Sequence, residues 1–321
     1  MASNIDWDKN IGRRFRLRDL HVFFAVAQSG SMAKAALQLN ISQPSVSEVI
    51  ADLEHALGVR LFDRGPKGVD LTVYGHALLT SGRAAFDELR RGINAIEYLA
   101  DPTAGEIRIG CSESIAAGFL PPVIDLLSSK YPRVWVHVEQ LNTPTLEFPE
   151  LHDRKVDLVL ARLARPDIEK DLPTHYQAEI LFDDRLCVVV GEKSRWAHRR
   201  KVGIAELADE PWILLPPGPG ATWVLDALRA NGAELSKTPM TTYSVHLRNH
   251  LLATGRFISI HPISVVRQNA KRYGIKVLPI EIPMPRWPVA VVTLKDRTIS
   301  PVTQHLIECS REVSKGLQRQ P

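Results

Sequence analysis

Cysteine is scarce in this chain of 321 residues: it holds three, Cys111, Cys187 and Cys309, too scattered for a CxxC pair or an even-numbered secreted framework. Reduced thiols in a cytosolic protein are the expectation. A redox pair is set aside, because no two cysteines are close in sequence and Cys187 sits in the apolar run LCVVV. Long hydrophobic runs are missing as well. Stretches such as Leu186 to Val190 fall far short of the roughly 20 residues of a membrane span. The opening MASNIDWDKN carries acids and no apolar stretch, unlike a secretory signal. A soluble, cytoplasmic protein without a membrane partner is expected.

Catalytic signatures are equally hard to find. No GxSxG elbow surrounds any serine, and the PPGPG run is followed by no Gly-Lys-Ser/Thr, so it is no phosphate-binding loop. His246 and His250 have the i, i+4 spacing of metal ligands but lack the glutamate of HExxH. Cys111 stands near a helix start, a place that can lower a thiol pKa, yet no base accompanies it, so it reads as a packed thiol. No metal, no cofactor and no enzymatic activity are expected. Nor does one sign of charge dominate. The net charge is +4, and through residue 75 nine bases face eight acids. Bulk charge therefore does not mark a nucleic-acid-binding half. Placement does better, since the bases gather in the N-terminal arm (1–16) and near Arg64.

What is present is pattern. Leu20, Phe23, Phe24 and Ala27 recur at helical spacing, and Gly30 ends that helix as a left-handed cap. Ser31 starts a second helix with small residues Ala33, Ala35 and Ala36 for close packing, anchored by Leu37 and Leu39. Ser42 starts a third, with Pro44 in its first turn, where a missing N–H costs nothing. Val46, Val49, Ile50, Leu53 and Leu57 form its apolar face, and Gly58 ends it. Pro44, Ser47 and Glu48 project on the opposite side with Ser45 beside them, and Gln43 lies free at the N-terminus. A short polar end on a packed helix suits the DNA major groove, where Gln bonds adenine and Ser serves several bases. Two short β-type segments then flank a Gly-Pro-Lys-Gly turn, a hairpin whose Arg64 and Lys67 would meet phosphate or the minor groove. From pattern alone, a small helical bundle with a surface hairpin is an open alternative.

Leu17 to Thr72 closely resembles the N-terminal domain of LysR-type transcriptional regulators. The matching stretches are LRDLHVFFAVAQSGSMAKAALQLNISQPSVSEVIADLEHALGVRLFDR and LTVYGHALL. The resemblance implies that Gln43, Pro44, Ser45 and Ser47 face the bases and that Arg64 contacts DNA from a wing; Ser31, Ser42 and Lys67 complete the candidate DNA-binding set. Glu48 departs from the basic or neutral polar residue usual there, which bears on sequence preference and not on binding mode. The expected organisation is a winged helix-turn-helix (17–75), a dimerisation helix (76–101) and an effector-binding domain (102–321).

From Val73 to about Leu99 no proline interrupts a helical stretch. Leu78, Gly82, Ala85, Leu89, Gly92, Ile96 and Leu99 alternate in steps of four and three, a heptad seam. A partner copy is the economical way to bury it, with packing on the chain's own C-terminal domain as the alternative; the resemblance implies pairing between subunits, so that two helices read an interrupted palindrome. Asp101 to Gly105 reads as a hinge.

Beyond it, strands and helices alternate as in an α/β fold. Strands read over Glu106–Gly110, Val134–Gln140, Val156–Leu160, Leu186–Val190, Trp212–Leu215, Thr241–Ser244, Phe257–His261, Ile275–Ile280 and Val289–Leu294. Helices read over Ser114–Ser129, Leu146–Arg154, Thr222–Ala230, Leu247–Ala253 and about Pro301–Gly316. Their order resembles the periplasmic-binding-protein-like effector domain of the same family, with two lobes joined by crossings near Leu163 and Val266 (lobe I 104–163 and 267–321; lobe II 164–266). A cleft between lobes is the natural effector site. Strand ends and helix starts place Ser112, Ser114, Asn142, Thr143, Arg162, Thr222, Ser244, His246 and His261 there, a set that leans towards a small carboxylate. The resulting expectation is a regulator with double-stranded DNA, a small-molecule co-inducer, a homodimer or homotetramer and RNA polymerase as partners, more an activator than a repressor. An enzyme using the two-lobed domain catalytically is the competing class, and it lacks a catalytic constellation.

Overall fold

Three helices open the described part of the chain because its caps fall where its apolar stripes end. Helix α1 (Leu17–Ser29) stops at Gly30 (φ 63°), α2 (Met32–Leu39) at Asn40 (φ 53°) and α3 (Gln43–Leu57) at Gly58 (φ 68°), all left-handed. Phe23, Val46, Ile50 and Leu53 are buried at their crossing. A hairpin follows, β1 (Phe62–Gly65) and β2 (Gly68–Leu71), paired Phe62 to Leu71. Glu54 on α3 ties the hairpin down, its Oε1 accepting from the Leu61 (2.7 Å) and Phe62 (3.2 Å) N–H groups. On the other side the Val69 N–H donates to the Gly30 carbonyl at 3.0 Å. The approach is so close that a Cβ on Gly68 would lie 2.3 Å from that oxygen.

The computed structural model describes residues 15–65, 68–101, 104–141, 146–163, 172–235, 240–280 and 287–318. The chain divides into two compact units between Arg90 and Arg91. That division falls inside the long helix α4 (Val73–Ala100), not at the expected Asp101–Gly105 break, of which Pro102 and Thr103 lie outside the described residues. Among the described residues no helix is long and apolar enough to cross a membrane.

The second unit contains two five-stranded sheets. The first has the order β4 (Arg133–Gln140), β3 (Ala104–Cys111), β5 (Leu158–Arg162), β12 (Pro288–Leu294), β6 (Tyr176–Asp183). Helices α5 (Glu113–Gly118), α6 (Leu120–Lys130) and α11 (Pro301–Gln318) share one core with it, and α7 (Pro149–His152) joins another. The second sheet has the order β11 (Ile275–Val277), β7 (Leu186–Gly191), β10 (Ile258–Pro262), β8 (Trp212–Leu214), β9 (Met240–Thr241). With it go α8 (Pro219–Ala230), α9 (Val245–Ala253) and α10 (Ile263–Tyr273).

Two expectations change here. The single helix read from Ser114 to Ser129 is broken at Phe119 into α5 and α6, with Pro121 and Pro122 opening the second piece. The lobe crossings also move. Strand β6 pairs with β12 in the first sheet, whereas α10 and β11 stay with the second, so the chain crosses at Asp183–Leu186 and returns between β11 and β12. Periodicity could not show β6, because the register slips between Val289 and Ala290: Phe182 and Ile180 pair with neighbouring residues and Leu181 is left as a bulge.

Candidate DNA-reading helix and effector cavity

Gln43, Pro44 and Glu48 are exposed at the start of α3, with Ser45 and Ser47 half-buried behind them. Ser42, also exposed, caps α3. Its Oγ accepts the Ser45 N–H at 3.2 Å and shares a 2.8 Å hydrogen bond with the Ser45 hydroxyl. Ser31 caps α2 in the same way through the Lys34 N–H at 3.4 Å. Arg64 is exposed on β1; Lys67, expected beside it, lies outside the described residues.

The expected seam of α4 divides in two. Leu78 packs on the winged-helix core, and Gly82 is so close to it that an added Cβ would lie 2.8 Å from the Phe24 ring. Those two positions are used within the chain, not on an open seam. Ala85, Leu89, Ile96 and Leu99 are exposed, the last two at 69% and 81%. Ile93, exposed at 58%, extends this stripe and was not among the seam residues.

In the second unit a cavity partly open to solvent lies between the sheets. Ser114 and Arg162 reach it from the first sheet's side and Arg248 from α9; the rest of its wall is apolar, including Leu186, Ile213, Val224, Ile260, Pro262 and Trp287. Arg162 donates to Ser114 Oγ (2.6 Å) and to Asp184 Oδ2 (2.5 Å). Asp184 is fully buried at the first crossing. It also accepts from the Ser264 N–H (3.0 Å) and hydroxyl (2.6 Å) at the start of α10, so one carboxylate ties both lobes. Arg248 is 2% exposed and donates to the Ile260 carbonyl at 3.2 Å. Burial lowers its pKa to about 10, with Glu113 opposing and Arg162 adding to the shift. It is still a cation at neutral pH.

Of the expected effector residues, the structure brings Ser114 and Arg162 into this wall. Ser112 stands one step behind, its hydroxyl 3.3 Å from that of Ser114. Ser244 caps α9 through the Leu247 N–H at 3.2 Å. Thr222 is exposed and donates to the Gly218 carbonyl at 3.1 Å. His246 is exposed and packs against His250 and Tyr273, away from the cavity lining. His261 is fully buried against Asn249 Oδ1 (3.0 Å); burial first, then Arg248, pushes its pKa well below the usual histidine range, so it stays neutral. Asn142 and Thr143 lie outside the described residues. Cys111 is buried, and its pKa is pushed up to about 12 by burial and then Glu113, as fits the packed thiol read from the sequence.

Comparison with known proteins fits this geometry. The family model of the LysR substrate binding domain matches residues 100–315, and that of the bacterial regulatory helix-turn-helix protein, lysR family, matches 17–76. The chain belongs to the LysR family of transcriptional regulators. The HTH-type transcriptional regulator YdcI of Escherichia coli strain K12 is 27% identical over 94% of this chain and 96% of its own. The hydrogen peroxide-inducible genes activator of Escherichia coli O157:H7 is 26% identical over 86% and 88%. The crystal structure of CbnR, a LysR family transcriptional regulator, shares the fold with a TM-score of 0.64 at 22% identity, covering 94% of this chain and 99% of that one.

This LysR-type regulator is therefore a DNA-binding transcription regulator with an effector-binding domain of periplasmic-binding-protein-like α/β fold. Sequence reasoning missed Arg248 and Trp287 in its cavity. Arg248 had a signal: Val245, Arg248, Asn249 and Leu252 fall at i, i+3, i+4 and i+7, and all four are buried, so the arginine sits on the core face of its helix. Trp287 had none. It is brought in from far along the chain, next to the second crossing.

Proposed function

We propose that this LysR-type regulator controls transcription in response to a small organic acid bound between the two sheets of its effector domain. One observation carries the reading: the cavity wall is apolar except for Ser114 and two arginines, Arg162 and Arg248. An apolar body is held by the hydrophobic wall and an acidic group by guanidinium N–H donors. The exposed stripe of α4 supports pairing of subunits, and paired α3 helices address an interrupted palindrome upstream of the target genes. Two such dimers form a tetramer. Cleft closure re-angles them and changes the bend of bound DNA, which presents the complex to RNA polymerase. The inducible-activator name of one relative supports activation over repression. The protein works in the cytoplasm, where that DNA is.

The test is DNase footprinting of the full-length protein on the region upstream of its own gene, with and without an organic acid shown to bind. A shortened or shifted footprint is expected. An identical footprint at saturating acid removes the switch, and no preference over random DNA at moderate salt removes the operator.

A further inference from the structure

Two carboxylates of this chain already occupy the anion positions around the cavity. Asp184 takes Arg162 and, at the start of α10, the N–H and hydroxyl of Ser264. Glu113, from the first sheet's side, takes the first N–H of α9, its Oε1 accepting from Val245 at 3.2 Å. Asp184 forms an ion pair with Arg162, and the Glu113 carboxylate also acts electrostatically on Arg248.

Arg248 is different. Among the described residues its only hydrogen-bond acceptor is the Ile260 carbonyl, and its Nε is buried with no partner. Trp287, 8% exposed in the same wall, carries an equally unpartnered Nε1. Arg162 Nε completes the set. Every unpartnered buried polar atom of this wall is a donor, and none is an acceptor. Protein interiors pair their buried charges and saturate their buried N–H groups, so what is missing is a compact group made of acceptor oxygens. Those unpartnered donors, on Arg248, Trp287 and Arg162, are the places this wall offers to an acidic head. A second acidic group would have to lie against Leu186, Ile213 or Val224, stripped of water and without a donor.

We infer that the effector carries a single acidic head and an apolar, ring-sized body, with the head on Arg248 beside the Trp287 N–H and the body on the aliphatic wall. This rests on the cavity being the effector site and adds which acid it takes and which arginine reads it. Arg162, the arginine that stands out in the sequence, is a positioning residue held by Asp184.

The test uses the full-length protein in calorimetric titrations with benzoate, phenylacetate and 3-phenylpropionate, against benzyl alcohol as a neutral counterpart and succinate and glutarate as two-headed acids. At least one aryl monoacid is expected to bind saturably, and about tenfold or more tighter than the alcohol and both diacids. Arg248→Met is expected to erase the preference for acid over alcohol. Trp287→Phe, which keeps most of the ring, is expected to weaken the best acid about three- to tenfold and serves if Arg248→Met does not fold. Diacids binding as tightly as monoacids, or an acid preference that survives both substitutions, overturns the inference while leaving the cavity as the effector site. No binding by any acid of the panel overturns both.

Discussion

The winged helix and the effector domain spend their polar groups in opposite ways. In the winged helix, Ser31, Ser42, Glu54 and Thr72 each close a local hydrogen bond, three of them within three residues of their own position. That leaves Gln43 and Arg64 standing in solvent on a finished scaffold. In the effector domain the polar side chains at the cavity are gathered from afar, Ser114 half-buried and Arg162, Asp184 and Arg248 buried, and both arginines keep an Nε donor without an acceptor. A reading head needs to be complete before it meets DNA, because phosphate and base contacts reward a rigid register. A sensor gains by being incomplete, because a ligand shifts a two-state equilibrium only by what it supplies to one state.

Helix α4 contributes residues to both units, and it offers the largest way to break that contrast. If the reading head is complete as a fold yet useful only in pairs, Leu89→Glu with Ile96→Glu should give a folded monomer by sedimentation. Its operator affinity should fall roughly 10²- to 10⁴-fold through lost bivalency. A double variant that still sediments as a dimer would show that the stripe pairs with something else.

Asp184→Ala comes next. It leaves the buried Arg162 guanidinium without its carboxylate, and such a loss costs about 3–5 kcal/mol. Denaturant unfolding should show that loss, and hydrogen exchange should quicken around β7 and α10 while α3 keeps its protection. A loss under about 1 kcal/mol would mean that the pair is neither as dry nor as tight as its geometry.

Gln43→Ala tests the outward-facing side of the contrast. It should weaken operator binding by about 1–3 kcal/mol and spare random DNA, with stability unchanged. Equal losses on both DNAs would place Gln43 among phosphate contacts.

The same contrast explains what could be read without a structure. The three helices, the hairpin and Gln43 to Ser47 were legible because caps and apolar stripes are local signals, spelled out within a few residues. Every strand of the two sheets but β6 was legible for the same reason, as short β-branched runs such as Leu186 to Val190. The cavity was half legible. Ser114 and Arg162 stand at a helix start and a strand end, where ligands gather, but that rule also selected His246, which faces solvent, and His261, which packs as neutral core. What turns Arg162 into a positioning residue is Asp184, twenty-two residues away in sequence, and no periodicity encodes that pairing. Strand β6 escaped because its bulge at Leu181 breaks the alternation that marks a half-buried strand.

Ser42 gives the smallest and sharpest test, since it reads both as a cap and as a member of the DNA-binding set, and the structure shows the cap. Its hydroxyl oxygen accepts from the Ser45 N–H and is engaged with the Ser45 hydroxyl, so little capacity is left for a base. Ser42→Ala should therefore cost about 1 kcal/mol of stability in a thermal melt. The ratio of operator to random-DNA affinity should stay within about twofold, well short of the loss expected for a base contact. Ser42→Asp restores an acceptor for the Ser45 N–H and should recover the stability, while its charge near phosphate weakens both DNAs together. A stable Ser42→Ala protein with a collapsed specificity ratio would move Ser42 from the scaffold to the reading surface, and with it the boundary between what this helix uses to fold and what it uses to recognise.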